Sequence, residues 1–298
     1  MVYNIFQQQT ETGKASCGRI SGAKGESAIS KRMPVLFIGH GSPMNALENN
    51  TYTENWKRVG REIPRPKAIL AVSAHWYTDG TRVTDAEKPK MVYDMYGFPP
   101  ELYKIDYPAP GAPELARRTA EIIGPSVRID NSWGLDHGAW SVLVHLFPRA
   151  DIPVFQLSVN GRAPAAEHFA IGRKIAALRG EGVLILGSGN VVHNLARLDW
   201  GKRGGFAWAE EFDGFIRDKI RSRSYEDVID YRRTGECAEL SFSTPDHFYP
   251  LLSVLGASEE SDVLTVFNDS CVMGALSMTC YLFQEKIPVE PEHQRKGN

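Results

Sequence analysis

With 298 residues, 42% of them hydrophobic and 23% charged, the chain has an ordinary globular composition with room for one large α/β domain or two small ones. A formal net charge of −2 supplies no basic field for a phosphate backbone, which makes nucleic acid a poor candidate as partner, and none is expected. No stretch reaches the ~20 apolar residues of a membrane span, and Cys17, Cys237, Cys271 and Cys280 lack CxxC spacing, as expected for reduced, mostly structural thiols in the cytoplasm.

Residues 1–32 are rich in Gly, Ser, Lys and Gln and lack the apolar core of a secretory signal, so they read as a disordered extension. Strands are then predicted over 35–38 and 68–73. The irregular stretch 88–111 holds five of the eighteen prolines and four of the eleven tyrosines, a composition suited to an ordered wall or lid over a site. A helix follows over 112–123, a strand over 127–129, a helix over 139–147, a strand over 154–159 and a helix over 163–178. The series continues with a strand over 183–187, a helix over 207–220, a helix over 245–255 and a strand over 264–267. Val, Ile and Leu runs without polar alternation suit strands buried on both faces. The alternation with amphipathic helices predicts an α/β fold: one domain over 33–285, a mostly parallel central sheet covered by helices on both faces, and a polar tail over 286–298.

The histidines carry the chemistry. His40 follows the run VLFIG, His75 follows ILAVSA, and His193 lies just beyond VLILGSG. In open α/β sheets ligands bind beyond the carboxyl ends of the strands, so three strands deliver an imidazole to one edge. His247, in STPDHFYPLL, reads as the first turn of a helix started by Pro245 and capped by Ser243 or Thr244. There the helix dipole keeps the ring neutral, as a metal ligand must be. His137, in WGLDHGAW, is either a loop histidine bonded to a neighbouring carbonyl or a proton-transfer group oriented by Asp136. His145 reads as a core histidine, His168 as lying on a helix surface, and His293 as part of the tail. Neutral imidazoles without a nearby thiolate suit Fe(II) or Zn(II) rather than Mg or Ca. The serines of GHGSP and LGSGNVV do not form a G-x-S-x-G elbow, and their glycines fit neither GxGxxG nor a P-loop.

GHGSPM, SAHW, DHGAW, SGNVVHN and PDHFYPLL, in that order, together resemble the 4,5-DOPA extradiol dioxygenases of the LigB-type ring-cleaving enzymes. The resemblance implies a non-haem Fe(II) oxidoreductase that takes a small aromatic diol, a catechol such as L-DOPA, and O2, and opens the ring to a semialdehyde product. It implies His40, His75 and His247 as metal ligands, and His193 as a further metal contact or an acid–base group. His137 is implied as the other proton-transfer histidine. The wider superfamily usually has a glutamate where His247 stands. An all-imidazole site retains the full +2 charge, so purified protein can carry Zn(II). Trp76, Trp140, Tyr249 and the Tyr93–Tyr103 loop are aromatic candidates for the pocket, against plain core packing. The rival expectations are a zinc-dependent hydrolase and a non-catalytic zinc-binding protein.

Overall fold

Uninterrupted aliphatic runs form strands only where both faces are covered, and the middle of this sheet is built from four of them: β1 (Val35–Gly39), β2 (Ala68–Thr78), β5 (Val154–Asn160) and β6 (Val183–Gly189). These pair in parallel in the order β5-β2-β6-β1. The structure, a computed structural model, describes residues 32–286. Residues 1–31 and 287–298, which hold nearly all of both expected tails together with Cys17 and His293, lie outside the described residues.

Short β3 (Arg82–Val83) and β4 (Arg128–Ile129) extend one side of the sheet, and β10 (Cys280–Glu285) and β7 (Asp262–Phe267) extend the other, antiparallel to β1 and to each other. A separate two-stranded ribbon joins β8 (Cys271–Val272) to β9 (Leu276–Ser277). The strand expected over 127–129 is the exposed edge β4, and β10 is a strand the sequence reading did not assign. Among the described residues eight α-helices accompany the strands: α1 (Thr51–Glu62), α2 (Pro113–Ile123), α3 (His137–Leu146), α4 (Ala165–Ile175), α5 (Ala207–Arg221), α6 (Tyr225–Ile229), α7 (Glu236–Ser241) and α8 (Tyr249–Ala257).

Period-two alternation divides the core into two layers. Val35, Phe37, Leu70, Val72 and Ile185 join the layer that holds Ile171 and Ile175 of α4, Phe212 and Ile216 of α5, and Leu251 and Leu252 of α8. Leu36, Ile38, Ile69, Ala71, Leu184 and Leu186 face the opposite layer, with Trp56 and Val59 of α1 and Trp140 and Leu143 of α3. The expected α/β domain, helices on both faces of a mostly parallel sheet, is what forms.

Two local differences matter for the site. Strand β2 runs beyond Ser73 to Thr78, so His75 lies within it; its pairing with β5 breaks register between Val72 and Tyr77. Such a bulge re-aims a side chain. The second difference concerns His247, which lies in a turn before α8. The backbone N–H groups of Phe248 and Tyr249 donate to Pro245 O at 3.1 and 2.9 Å, while α8 itself begins at Tyr249 with no side-chain cap. Thr244 Oγ1 donates instead to Asp246 Oδ1 at 2.7 Å.

Candidate metal centre

His40 is fixed by the strand it ends. Its N–H donates to Gly189 O at 3.1 Å, continuing the β1–β6 register, and its carbonyl accepts from Asn45 Nδ2 at 2.9 Å. The ring is buried, with Nδ1 3.0 Å from Ser188 Oγ. That hydroxyl donates its own proton to Gly138 O, so it accepts from Nδ1–H and leaves the His40 Nε2 lone pair free.

His247 is built the same way from another direction. The N–H of Asn190 donates to His247 O at 2.9 Å, and a Cβ on Gly189 would stand only 2.1 Å from that carbonyl oxygen. Glycine is therefore what lets the turn lie against β6. His247 Nδ1 donates to Asp246 Oδ2 at 2.9 Å, while its Nε2 is buried without a partner. Buried polar atoms are rarely left unpaired, and a lone pair held this way suits a cation.

His75 completes the group. Its Nδ1 lies 3.0 Å from Asp94 Oδ2 and its Nε2 lies 3.2 Å from His40 Nε2. One ligand atom each from His40, His75 and His247 falls within 4.8 Å of the other two. Three imidazoles that share a focus, each with its far nitrogen engaged by a hydroxyl or carboxylate, have the donor chemistry of a zinc or non-haem iron site. His40, His75 and His247 are the residues that would hold the ion.

Asp94 was not singled out in the sequence. It comes from the 88–111 stretch, and its Oδ1 accepts from the backbone N–H of His137 at 2.9 Å. The same oxygen lies 3.0 Å from His137 Nδ1, a charge contact out of hydrogen-bond alignment. Asp136, the expected orienting group, is fully committed elsewhere. It accepts from Ser73 Oγ at 2.6 Å, Trp133 Nε1 at 2.9 Å, Gln156 Nε2 at 2.8 Å and the N–H of Ala139 at 3.1 Å. It thereby caps α3 while Asp94 holds His137. His75, Asp94 and His137 form a second group of closely spaced donor atoms.

His193 belongs to neither group. Its ring lies on the His247 ring, centroids 3.4 Å apart and planes within 5°, and its backbone N–H donates to Ser241 O at 2.8 Å.

Burial dominates the titration of these rings. It pushes His40 and His247 well below the usual histidine range, with repulsion from neighbouring imidazoles adding to the effect. Burial also lowers His137, helped by His75 and opposed by Asp94, and lowers His193 to about 4 against the pull of Asp246. Burial works against charge on His75 too, but Asp94, Asp136 and Asp246 outweigh it and raise the ring. Burial likewise opposes charge on Asp94, yet His137 and His75 hold the carboxyl well below its usual range.

Among the aromatic candidates, Trp140 stands edge-on to His137, centroids 6.4 Å apart. It continues outward to Tyr93 at 5.8 Å, and Tyr93 to Tyr103 at 6.3 Å. Tyr249 instead stacks on His168 at 4.2 Å, and Trp76 is buried. His168 is not on the surface as expected: it is buried and its Nε2 lies 3.1 Å from Asn160 O. No helix among the described residues is long and apolar enough to cross a membrane.

Imidazoles gathered at the carboxyl edge of a helix-covered sheet, with carboxylates behind them, define a protein built to hold a catalytic metal. Residues 34–282 match the family described as the catalytic LigB subunit of aromatic ring-opening dioxygenase. The chain belongs to this LigB family and is an extradiol dioxygenase, a class of non-haem metal enzymes. It is 47% identical over 255 residues to 4,5-DOPA dioxygenase extradiol of Escherichia coli K12, covering 84% of this chain and 94% of that one. It is 38% identical to the Beta vulgaris 4,5-DOPA dioxygenase extradiol, covering 83% and 95%. A crystal structure of an uncharacterized E. coli K12 protein superposes with a TM-score of 0.74 at 42% identity, covering 84% of this chain and 99% of that one.

Proposed function

We propose that the enzyme uses Fe(II) to open the ring of a catechol with O2, with L-DOPA as the first substrate to test, and that it does so in the cytoplasm. The observation that carries this reading is the buried, unpartnered Nε2 of His247 facing the free nitrogens of His40 and His75. The names of the similar E. coli and Beta vulgaris enzymes support the choice of substrate.

His40, His75 and His247 bind the ion. When bound, Fe(II) would supply charge that favours loss of the catechol protons, and a redox-active contact for O2. We assign the remaining histidines to the protons. His193 and His137 are held neutral by burial, so either can accept a catechol proton at its free nitrogen and return it later. Tyr93, exposed and backed by the buried Trp140 ring 5.8 Å away, offers an aromatic face to a substrate ring.

An all-imidazole site also suits Zn(II), which keeps a zinc hydrolase or a zinc-binding protein without turnover as the second reading. Anaerobic reconstitution with Fe(II), followed by oxygen uptake on L-DOPA, separates them. A yellow semialdehyde product with one O2 consumed per ring supports the dioxygenase. No uptake across a catechol panel, with iron bound, sinks it.

A further inference from the structure

A carboxylate has two oxygens, and here each faces a different histidine. Asp94 Oδ2 meets Nδ1 of His75, on the bulged strand β2, while Oδ1 meets both the backbone N–H and the ring Nδ1 of His137 at the start of α3. The two rings are drawn together, centroids 3.8 Å apart. The backbone leading into Asp94 is tied down. Val92 N–H donates to Leu135 O at 2.7 Å, Leu135 N–H donates to Lys90 O at 2.8 Å, and Trp140 Nε1 donates to Val92 O at 3.0 Å. Farther out, Tyr93 Oη donates to Ile105 O at 2.6 Å. The irregular stretch thus delivers one acid to one spot with little freedom.

The two nitrogens of an imidazole diverge, so His75 can serve only one centre with a lone pair. With Asp94 at Nδ1, the proton sits there and Nε2 is turned toward His40 and His247. Placing an ion instead among His75, Asp94 and His137 would leave the buried His247 Nε2 unpaired, a costly arrangement. The same carboxylate accepts the backbone N–H of His137 at 2.9 Å and so holds the first residue of α3, with its ring, beside His75. Resting on the metal-site reading above, we propose that Asp94 is the positioning residue of the centre. It fixes the tautomer of a metal-binding histidine and anchors the backbone of a proton-transfer histidine at once, without itself coordinating the ion.

The test compares Asp94→Asn with Tyr107→Phe, which removes another tie of the 88–111 stretch, the bond from Tyr107 Oη to Phe147 O at 2.9 Å, but keeps the carboxylate. Binding of Fe(II) and Co(II) is measured anaerobically, with kcat and KM at saturating Fe(II). Asp94→Asn is expected to weaken metal binding about 10–100-fold and to lower kcat with KM little changed, while Tyr107→Phe stays close to the parent. Metal affinity and kcat of Asp94→Asn within about twofold of the parent, against the 10–100-fold expected, would overturn the proposal. So would an equal loss in Tyr107→Phe, or a Co(II) spectrum of the parent showing carboxylate coordination that Asp94→Asn abolishes. Should Asp94→Asn fail to fold, ring-15N histidine spectra of the metal-free parent decide: Nδ1–H on His75 supports the role, and Nε2–H on His75 refutes it. Metal affinity and tautomer do not depend on the catechol. A parent that obeys both yet consumes no O2 would refute the proposed reaction and leave Asp94 in place.

Discussion

The His193 ring lies flat on the His247 ring, with centroids 3.4 Å apart and planes 5° from parallel. Stacking of that kind buttresses His247 whether or not His193 touches the ion, so packing and chemistry can be separated by substitution. His193→Phe keeps an aromatic face on His247 and removes the proton acceptor, whereas His193→Ala removes both. Phe is expected to retain one metal per chain and to lower kcat about 10²–10⁴-fold, the usual contribution of a general acid–base group. Metal analysis beside oxygen uptake checks this. Loss of metal in both variants would make His193 a ligand instead.

Gly138 sets how closely α3 approaches β2. A Cβ there would stand 2.6 Å from Ser73 Oγ and 2.7 Å from His75 Cδ2. The hydroxyl cannot retreat, because it donates to Asp136 Oδ1 at 2.6 Å, so the His75 ring must yield. Gly138→Ala should weaken metal binding about tenfold or more, comparable to losing a group that orients a ligand, and cost about 1–3 kcal/mol of stability from overpacking. Titration of the apoprotein with Co(II) measures the first and urea unfolding the second. Parent-like affinity would show that His75 does not depend on this contact.

The histidine edge was legible where strand and histidine are neighbours in the chain. An aliphatic run that stops at glycine and then histidine places His40 directly after β1; the same pattern brings His75 to this edge, but β2 runs on through it and the break in its pairing with β5 re-aims the ring. Asp94 was not legible in that way. Its partners lie on a strand before it and a helix after it, and the stretch between has no periodicity to say which atom points where. Chain proximity favoured Asp136 as the partner of His137, but Asp136 is turned the other way to cap α3 and meet Ser73, Trp133 and Gln156. His145 was read correctly as a core histidine: it is buried, its Nε2 2.7 Å from Asn45 O. His168 was not, because what buries it is Tyr249 of α8, a contact that the pattern of α4 does not encode.

Away from the metal, the buried pair Arg179–Asp262 ties the start of β1 to the sheet edge. Arg179 Nη1 and Nη2 donate to the two carboxylate oxygens at 2.8 and 2.9 Å, and both side chains are fully buried. The guanidinium also donates to Met33 O at 2.6 Å and Ala257 O at 3.0 Å. Arg179→Met leaves a buried carboxylate without its cation and should cost about 3–5 kcal/mol. Adding Asp262→Leu removes the stranded charge, so the double variant should be destabilised by clearly less than the sum of the singles. Urea unfolding of the set measures the coupling; additive losses would mean the two charges act independently.

His168 gives the stability of the fold a pH dependence of known sign. Burial lowers its pKa to about 4 from an unperturbed 6.5, with the bond to Asn160 O opposing. Above pH 6.5 the ring is neutral in both folded and unfolded chains and contributes no slope. As pH falls below that value the unfolded chain takes up a proton that the folded one refuses, and stability is lost at about 1.4 kcal/mol per pH unit until the folded value is reached. At pH 5 the loss from this one group is about 2 kcal/mol. His168→Gln, which keeps a side-chain amide donor for Asn160 O, should flatten that part of the curve by the same amount. Urea unfolding of metal-free parent and variant at pH 7 and pH 5 isolates the difference. An identical slope in the two proteins would mean that His168 is protonated in the folded state and the stack on Tyr249 accommodates the charge.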